Sequence, residues 1–310
     1  MDDRYDPVLR GHVERAFSRL RHRLRAHAPT LARHTAEWMR SLTGDAPPQT
    51  YFTHPQAFPM LLLPWWFEGG LDGAPDRAFQ GDVVYSTING YYFVRLIDDL
   101  MDRERPPTAA VLPALIFFHT EFQGSYQRHF PHGHPFWAAF SDGSMASAES
   151  ASVDAGLPEI DRDRFLRVSA RKVAGAKVPL AAVGHRYGRS DLLGPWSAFV
   201  DLLGCWHQMA NDMRGWNRDL DHGRRTYFLS AAPSRADGPA AIAEWVLTEG
   251  LGWGMAELDG WMAQLLVAAR GLDCPPLVAY LEQRQVAMAG EWHELLSSLT
   301  VLRRLAASLR

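Results

Sequence analysis

The stretch from residue 84 to residue 102 reads VYSTINGYYFVRLIDDLMD and gives the clearest indication of a fold. Residues that recur at steps of four and three share one face of an α-helix. Here that face is apolar at Val84 and Ile88 but acidic at Asp98 and Asp102. The aromatic and aliphatic residues between them, at 91–94 and 96–97, predict burial on most sides. The pattern therefore predicts a mostly buried helix that ends in carboxylates.

The carboxylates at this helix end are Asp98, Asp99 and Asp102. Side chains one helical turn apart have Cβ atoms about 5–6 Å apart, close enough to share a cation. Oxygen ligands without nearby Cys or His favour Mg²⁺, which combines a few carboxylates with waters and substrate phosphates. The helix C-terminus adds partial negative charge there. A magnesium and diphosphate site is predicted, with a solvated acidic helix end as the alternative.

Helical periodicity also dominates the rest of the chain. Leu9, Val13, Phe17, Leu20 and Leu24 share one face of a first helix, Pro29 interrupts the pattern, and residues 43–48 are predicted to form a loop. Further helices are predicted at 78–102, 109–128, 135–150, 158–188, 191–221, 238–270 and 275–308. No strand alternation is found. The pattern predicts one all-α domain over residues 1–310, a single large helical bundle.

Composition excludes several functional classes. The chain has 310 residues and a formal net charge of -3, which argues against a nucleic-acid partner. Cys205 and Cys274 are the only cysteines, so neither a disulfide framework nor a thiolate zinc site is expected. The acidic start of the chain is unlike a secretory signal, and the apolar run 59–67 is too short to span a bilayer as a helix and is broken by Pro64. A soluble, cytoplasmic protein is predicted.

A second polar pattern lies at residues 207–219. Asn211, Gly215 and Asp219 recur at steps of four, so an amide oxygen and a carboxylate share a helix face with a gap between them. Three predicted helices separate this motif from Asp98. In an up-and-down bundle an odd number of intervening helices makes the two motif helices parallel. Both acidic ends would then open at the same mouth.

Together these two motifs resemble those of the class I isoprenoid synthases, and most of all the terpene synthases. Asp98, Asp99 and Asp102 look like the aspartate-rich DDxxD motif, and residues 211–219 look like ND-x-x-S/T-x-x-x-E. The resemblance covers residues 80–230 and implies a class I isoprenoid synthase-like helical bundle with a central active-site cavity. It implies a magnesium-dependent lyase that ionises a linear prenyl diphosphate and cyclises the carbocation. It also implies three Mg²⁺ ions, two held by Asp98 and Asp102 and the third by Asn211 and Asp219.

The second motif departs from the terpene synthase pattern, because Gly215 replaces a hydroxyl residue and Asp219 replaces Glu. Squalene and phytoene synthases are also similar in part, through Arg95 before the aspartate cluster and through five later residues: Gln208, Asn211, Arg214, Gly223 and Arg224. That resemblance implies coupling of two isoprenoid diphosphates. Chain-elongating prenyl synthases are more distant, since the sequence has no GGKR-like segment upstream and no second DDxxD. A non-catalytic isoprenoid-binding protein is a third alternative.

Basic residues near these motifs are candidates for holding diphosphate. The only two lysines, Lys172 and Lys177, lie beside Arg171, and Pro179 predicts a helix break at this point. In terpene synthases the corresponding helix is broken at the active site, which makes Arg171, with Arg167 as its rival, the candidate diphosphate sensor. Arg218 looks like the basic residue that precedes the Glu of the terpene synthase motif. Three further candidates follow the second motif and could close over the phosphate oxygens, which guanidinium groups match: Arg224, Arg225 and Tyr227. A basic surface stripe and a solvated loop are the alternatives.

Aromatic side chains can stabilise a carbocation by about 0.5–2 kcal/mol each. The candidates are Tyr91, Phe93, Trp206 and Trp292, although most aromatic residues of a helical protein simply form its core. Arg95 joins them as a substrate-binding candidate. The sequence leaves substrate chain length, product skeleton and oligomeric state open, a homodimer included.

Overall fold

The computed structural model describes residues 4–101, 107–154, 160–233 and 238–308, and within these ranges every regular element is helical. The α-helices are α1 (Pro7–His27), α2 (Pro29–Ser41), α3 (Thr50–Thr53), α4 (Leu62–Gly69), α5 (Arg77–Met101), α6 (Ala114–Tyr126), α7 (Phe136–Asp154), α8 (Arg162–Lys172), α9 (Lys177–Arg186), α10 (Leu193–Asp221), α11 (Tyr227–Ser230), α12 (Pro239–Trp245), α13 (Leu251–Gly271) and α14 (Pro275–Ser308). The prediction of an all-α fold is confirmed.

The first two helices follow from local signals. The side chain of Asp6 caps α1 by accepting hydrogen bonds from the backbone N–H groups of Val8 and Leu9, at 2.8 and 3.0 Å. Pro7 takes the first helical position, where a missing N–H costs nothing. Pro29 begins α2 in the same way, so the predicted interruption is found. The five periodic apolar residues of α1, from Leu9 to Leu24, are all buried.

The prediction that Pro64 breaks the apolar run 59–67 is wrong. The run forms most of α4, and Pro64 is the third residue of that helix. A proline in the first turn removes no intrahelical hydrogen bond, because the first N–H groups of a helix have no partner within it. None of the helices in the described ranges is long and apolar enough to cross a membrane.

The chain divides into two compact units. The first unit consists of Met1–Ala155 and Arg171–Val200. Its most extensive helix pair is α5 with α6. Gly90 allows the two helices to approach closely, since a Cβ atom at this position would lie 2.8 Å from the ring of Phe122. Around this pair Tyr92 packs against Trp38 and Phe118, with ring centroids 5.6 and 5.4 Å apart. Of the apolar residues that precede the aspartate cluster, Tyr92 and Leu96 are buried and the other four are partly exposed, so the predicted burial is confirmed in part.

The predicted helix 158–188 is interrupted where the sequence indicates a break. A 3₁₀ turn at Ala174–Ala176 separates α8 from α9, and Pro179 is the third residue of α9. In the first unit, α7 packs closely on this turn, since a Cβ atom on Gly143 would lie 3.1 Å from the carbonyl oxygen of Ala174. Four α-helices, α6 to α9, thus separate α5 from α10. They correspond to the three predicted helical stretches, the third of which is broken as predicted, and the parity argument and the common mouth stay predictions.

The second unit consists of Gly156–Ala170 and Asp201–Arg310. Its α13 and α14 pack against each other, and Phe165 of α8 stacks on Trp261 of α13 with ring centroids 5.7 Å apart. A π-helical turn at Val246–Gly250 connects α12 to α13. Gly254 allows α13 to approach α10, because a Cβ atom there would lie 2.7 Å from the sulfur of Met213. A single domain over the whole chain stays a prediction.

Candidate active site

The two neighbouring aspartates in the last turn of α5 have different surroundings. Asp99 is mostly buried, with its side chain 12% exposed, and both of its oxygens have partners. Arg95, one turn earlier, lies 2.7 Å from Oδ1, and Nε1–H of Trp38 on α2 donates to Oδ2 at 2.9 Å. Such a charge-assisted pair is strong and directional. Asp99 therefore connects the end of α5 to α2.

Asp98, in contrast, is exposed and lies on the last turn of α5. The last carbonyl groups of a helix lack intrahelical partners and carry partial negative charge, which favours a cation. Asp102, the other predicted ligand, lies outside the described residues. Among the residues that are described, no group of three or more His, Cys, Asp or Glu side chains is arranged to hold a metal ion.

The aromatic candidates of α5 both contact other rings. The hydroxyl of Tyr91 donates to the hydroxyl of Tyr51, and their ring centroids are 5.1 Å apart. Burial and the neighbouring Tyr51 raise the pKa of Tyr91 well above its usual range, so Tyr91 is a neutral phenol. Phe93 packs 5.2 Å from the ring of His119, which is exposed on α6. Tyr91 belongs to a buried aromatic cluster, whereas Phe93 lies beside the surface.

The basic candidates of the broken helix lie on either side of the 3₁₀ turn. Arg171 and Lys172 are the last two residues of α8, and Lys177 is the first residue of α9. The backbone carbonyl of Lys172 accepts a hydrogen bond from the hydroxyl of Ser147, at 3.1 Å, which holds the end of α8 on α7. Arg171 is exposed, and so is its rival Arg167 in the second unit. The break therefore places three cationic residues next to one another in the chain.

The second motif lies on α10 and contains one polar face that the sequence prediction missed. Gln208, Asp212, Gly215 and Asp219 recur at steps of four, three and four. Asp212 and Asp219 are 5% and 6% exposed, and Nε2–H of Gln208 donates to Oδ1 of Asp212 at 2.7 Å. Asn211 is exposed on a neighbouring face. The spacing from Gln208 to Asp219 was the signal that could have identified Asp212.

Asp219 lies close to two arginines at the end of α10. The nearest guanidinium nitrogens of Arg218 and Arg224 are each 3.9 Å from Oδ1 of Asp219. Two backbone hydrogen bonds hold the segment that carries Arg224. The backbone N–H of Arg224 donates to the carbonyl of Asp219, and the backbone N–H of Gly223 donates to the carbonyl of Leu220. Gly223 has a φ of 68°, which completes a Schellman C-cap. The glycine and the arginine of this segment thus have a structural role.

The remaining candidates of the second unit are packed in its interior or border its helices. Arg225 precedes α11, and Tyr227, its first residue, stacks on Phe165 with ring centroids 4.7 Å apart. Trp206 is 1% exposed and carries the guanidinium carbon of Arg284 at 5.2 Å from its ring centroid. Trp292 of α14 is 2% exposed. Trp206 thus already contacts a cation supplied by the protein.

A bidentate ion pair connects the middle of the second motif to α14. Nε–H and Nη2–H of Arg214 donate to the two carboxylate oxygens of Glu291, each at 2.9 Å. The hydrogen bonds from Arg214 lower the pKa of Glu291 from its ordinary value, although burial opposes them. Arg214, which the squalene and phytoene synthase resemblance includes, therefore has a partner in the protein.

Solved structures with a similar fold were found, whereas no protein-family model and no curated protein sequence matches the chain. A geranylgeranyl pyrophosphate synthetase from the archaeon Geoglobus acetivorans has a TM-score of 0.63 at 11% identity, with 91% of this chain and 98% of that chain covered. A geranylgeranyl pyrophosphate synthase from Lactobacillus brevis has a TM-score of 0.60 at 14% identity, with coverage of 84% and 96%. An octaprenyl pyrophosphate synthase from Helicobacter pylori has a TM-score of 0.56 at 11% identity, with coverage of 87% and 98%. The chain therefore has the all-α fold of the prenyl pyrophosphate synthases.

Proposed function

We propose that the chain is a magnesium-dependent class I terpene synthase, which ionises a linear prenyl diphosphate and cyclises the resulting carbocation. One observation carries the proposal: the exposed carboxylate of Asp98 lies at a helix end in a chain with the fold of prenyl pyrophosphate synthases. The held carboxylate of Asp99 supports it, because a rigid neighbour fixes the position of the helix end.

The donor groups of both motifs fit magnesium in kind. Carboxylate and amide oxygens are its preferred protein ligands, and it binds one or two carboxylates plus substrate phosphates without needing a cage made only of protein groups. Asp98 and Asp102 would hold two ions, and Asn211 and Asp219 the third. When bound, magnesium would neutralise the negative charge that develops on the departing diphosphate.

The basic residues would bind the diphosphate from the protein side. Arg171, Lys172 and Lys177 supply cations at the helix break, and guanidinium groups match phosphate oxygens bidentately. The residues proposed for the same role after the second motif are Arg218, Arg224, Arg225 and Tyr227. Arg95 would act indirectly, by holding Asp99. The aromatic residues Tyr91, Phe93 and Trp206 would exclude water from the carbocation.

Replacing Asp98 by Ala tests the proposal. We expect diphosphate release from ten-, fifteen- and twenty-carbon prenyl diphosphates to fall at least about 1000-fold, which corresponds to about 4 kcal/mol of lost transition-state stabilisation. The assay compares Mg²⁺ with EDTA, and circular dichroism checks that the variant is folded. Magnesium-dependent turnover within tenfold of the wild-type rate would refute the role of Asp98.

A coupling reaction is the second candidate, favoured by the names of the structures with this fold, which are geranylgeranyl and octaprenyl pyrophosphate synthases. Extraction and mass analysis of the products separate the two reactions. A hydrocarbon or alcohol with the carbon count of the substrate indicates cyclisation, whereas a larger count indicates coupling.

A helical protein that binds an isoprenoid without turning it over is the third candidate. Calorimetry with Mg²⁺ and a non-ionising diphosphate analogue measures binding alone, and an assay with the true substrate follows. Binding of the analogue with no release of diphosphate from any of the three substrates would replace the enzymatic proposal by this one.

A further inference from the structure

A cavity of about 400 Å³ lies in the first unit between α1 and the first half of α5. Its volume falls in the range of about 300–1,000 Å³ that is usual for small-molecule sites. Small residues leave the space open, namely Ala16, Ala78 and Gly81. The cavity, which we call the arginine cavity, takes its name from the three arginines in its lining, Arg15, Arg19 and Arg77.

The charges of the arginine cavity are unbalanced. Asp82 is the one carboxylate in its lining, and Asp82 is already shared among several basic groups. Nη1 of Arg19 lies 3.0 Å from Oδ1 of Asp82, Arg128 contacts the same oxygen, and Nε2 of His129 lies 2.8 Å from Oδ2. A single carboxylate thus compensates Arg19 and Arg128 together. Among the described residues that line the cavity, no further carboxylate compensates the other two arginines.

Arg15 and Arg77 have neutral hydrogen-bond partners. Nη2–H of Arg15 donates to Nδ1 of His12 at 3.1 Å, and Nη1–H of Arg77 donates to Oε1 of Gln80 at 3.0 Å. Neither forms an ion pair with a carboxylate of the described residues. Burial, Arg15 and Arg77 together lower the pKa of His12, so His12 is neutral at pH 7 and accepts the hydrogen bond of Arg15. Both guanidinium groups retain donors for an anion.

Arg19 is positioned by a further contact. Its guanidinium carbon lies 3.8 Å from the ring centroid of Tyr85, so the guanidinium group rests on an aromatic face. The hydroxyl of Tyr85 donates to Oε2 of Glu121 at 2.7 Å, and Glu121 also accepts from Arg23. Arg19 is therefore held from two sides, by this ring and by Asp82. An oriented arginine loses less conformational entropy when it binds a ligand.

From these charges and contacts, we propose that the arginine cavity binds the phosphate or diphosphate group of a small molecule through Arg15, Arg19 and Arg77. Guanidinium groups recognise phosphate oxygens by paired hydrogen bonds, and three of them around one cavity match an anion with more than one charge. The site is separate from the aspartate cluster, because Gly81 and Asp98 lie about 25 Å apart along α5 at 1.5 Å per residue. It therefore binds an anion independently of the magnesium site.

Isothermal titration calorimetry with inorganic diphosphate tests the proposal on the full chain. The buffer contains EDTA and little salt, so binding is measured without metal and with weak screening. We expect Arg15→Gln and Arg77→Gln each to weaken binding at least tenfold. Arg21→Gln, an exposed position of the same helix with the same loss of charge, should change it less than twofold. Thermal unfolding checks that each variant is folded.

Four outcomes would overturn the proposal: no binding of diphosphate to the wild type at millimolar concentration, unchanged affinity in both cavity variants, an equal loss in Arg21→Gln, or a loss in Arg171→Gln in place of the cavity variants. The last outcome would place the anion at the helix break. Because the titration contains no magnesium and measures no turnover, a failure of the proposed terpene synthase activity does not decide it.

Discussion

In each of the two polar motifs, on α5 and on α10, two neighbouring residues have different surroundings. At the end of α5, Asp99 is held by Arg95 and Trp38, and Asp98 is exposed. In α10, Asp212 is held by Gln208, and Asn211 is exposed. Successive residues of a helix differ by about 100° in direction, so one of two neighbours faces the protein while the other faces outward. A motif of adjacent polar residues thus combines a positioning residue with a candidate ligand.

The buried aspartates of the two motifs differ in the partners that hold them. Trp38, which binds Asp99, belongs to another helix and lies 61 positions away in the sequence. The partner of Asp212 lies four positions away on the same helix, and the Schellman cap at Gly223 completes that end locally. Asp99 is therefore held by Arg95 of its own helix and by Trp38 of α2, whereas Asp212 accepts from its own helix and the contact with another helix is made by Arg214 to Glu291 of α14.

Replacing Asp99 by Ala should cause the largest loss of stability. The substitution leaves Nε1–H of Trp38 and the guanidinium of Arg95 without their acceptor in a mostly buried place, at a cost of about 2–3 kcal/mol. Urea unfolding measures the loss. Asp99→Asn, which keeps an acceptor for Trp38, should recover part of it. Asp98→Ala should cost less than about 0.5 kcal/mol, because Asp98 is exposed. Equal losses at the two positions would contradict the assignment of a positioning role to Asp99.

Replacing Gly223 by Ala should weaken the end of α10 by about 1 kcal/mol, since a side chain is unfavourable at a φ of 68°. Thermal unfolding measures the change. Gly260→Ala is the matched control, because Gly260 lies within α13 with open space around its Cα. There the substitution should stabilise the helix by about 0.5–1 kcal/mol. The same sign at both positions would exclude the proposed role of Gly223 in the cap.

The ion pair Arg214–Glu291 should make the free energy of unfolding depend on pH. Because the folded-state pKa of Glu291 is lowered, the pair stabilises the fold above the unfolded-state pKa and loses this effect as the pH falls through the folded-state value. At pH 7 we expect Glu291→Gln to cost about 0.5–1 kcal/mol, since the pair is partly exposed. Urea unfolding from pH 7 to pH 3 should show the difference between wild type and variant disappear in acid. A difference that grows below pH 4 would contradict the pair's role.

Replacing Gly215 by Ser should have the smallest effect on stability. The new Cβ atom would lie 3.2 Å from the flexible end of Arg218, which can move, and serine favours a helix over glycine by about 0.5 kcal/mol. We expect stability to change by less than about 0.5 kcal/mol and the magnesium concentration for half-maximal activity to fall. Unchanged magnesium dependence would show that a hydroxyl at this position does not take part in metal binding.

The sequence predicted those parts of the fold that depend on local patterns. The apolar periodicity of α1 and α5 and the break before Pro179 are short-range signals, and the structure contains all three. The pairing of Trp38 with Asp99 has no local signal, because it depends on how α2 packs on α5. The burial of Asp212 was not predicted, because the sequence analysis chose its neighbour Asn211 as the metal ligand. Pro64 was misread, because a proline permits a helix when it lies in the first turn.

The π-helical turn at Val246–Gly250 has a consequence for the direction of two tryptophans. In a regular α-helix, Trp245 and Trp253 would differ by about 80° around the axis, whereas one extra residue in a wider turn reduces this to about 20°. Both rings then face Phe228, with centroids 5.9 and 6.3 Å away. The wider turn therefore sets the angular phase of α13, because an α-helix with the same number of residues would direct Trp253 about 100° away from its present direction. Deletion of one residue of the turn should restore a regular α-helix and leave the two rings about 20° apart.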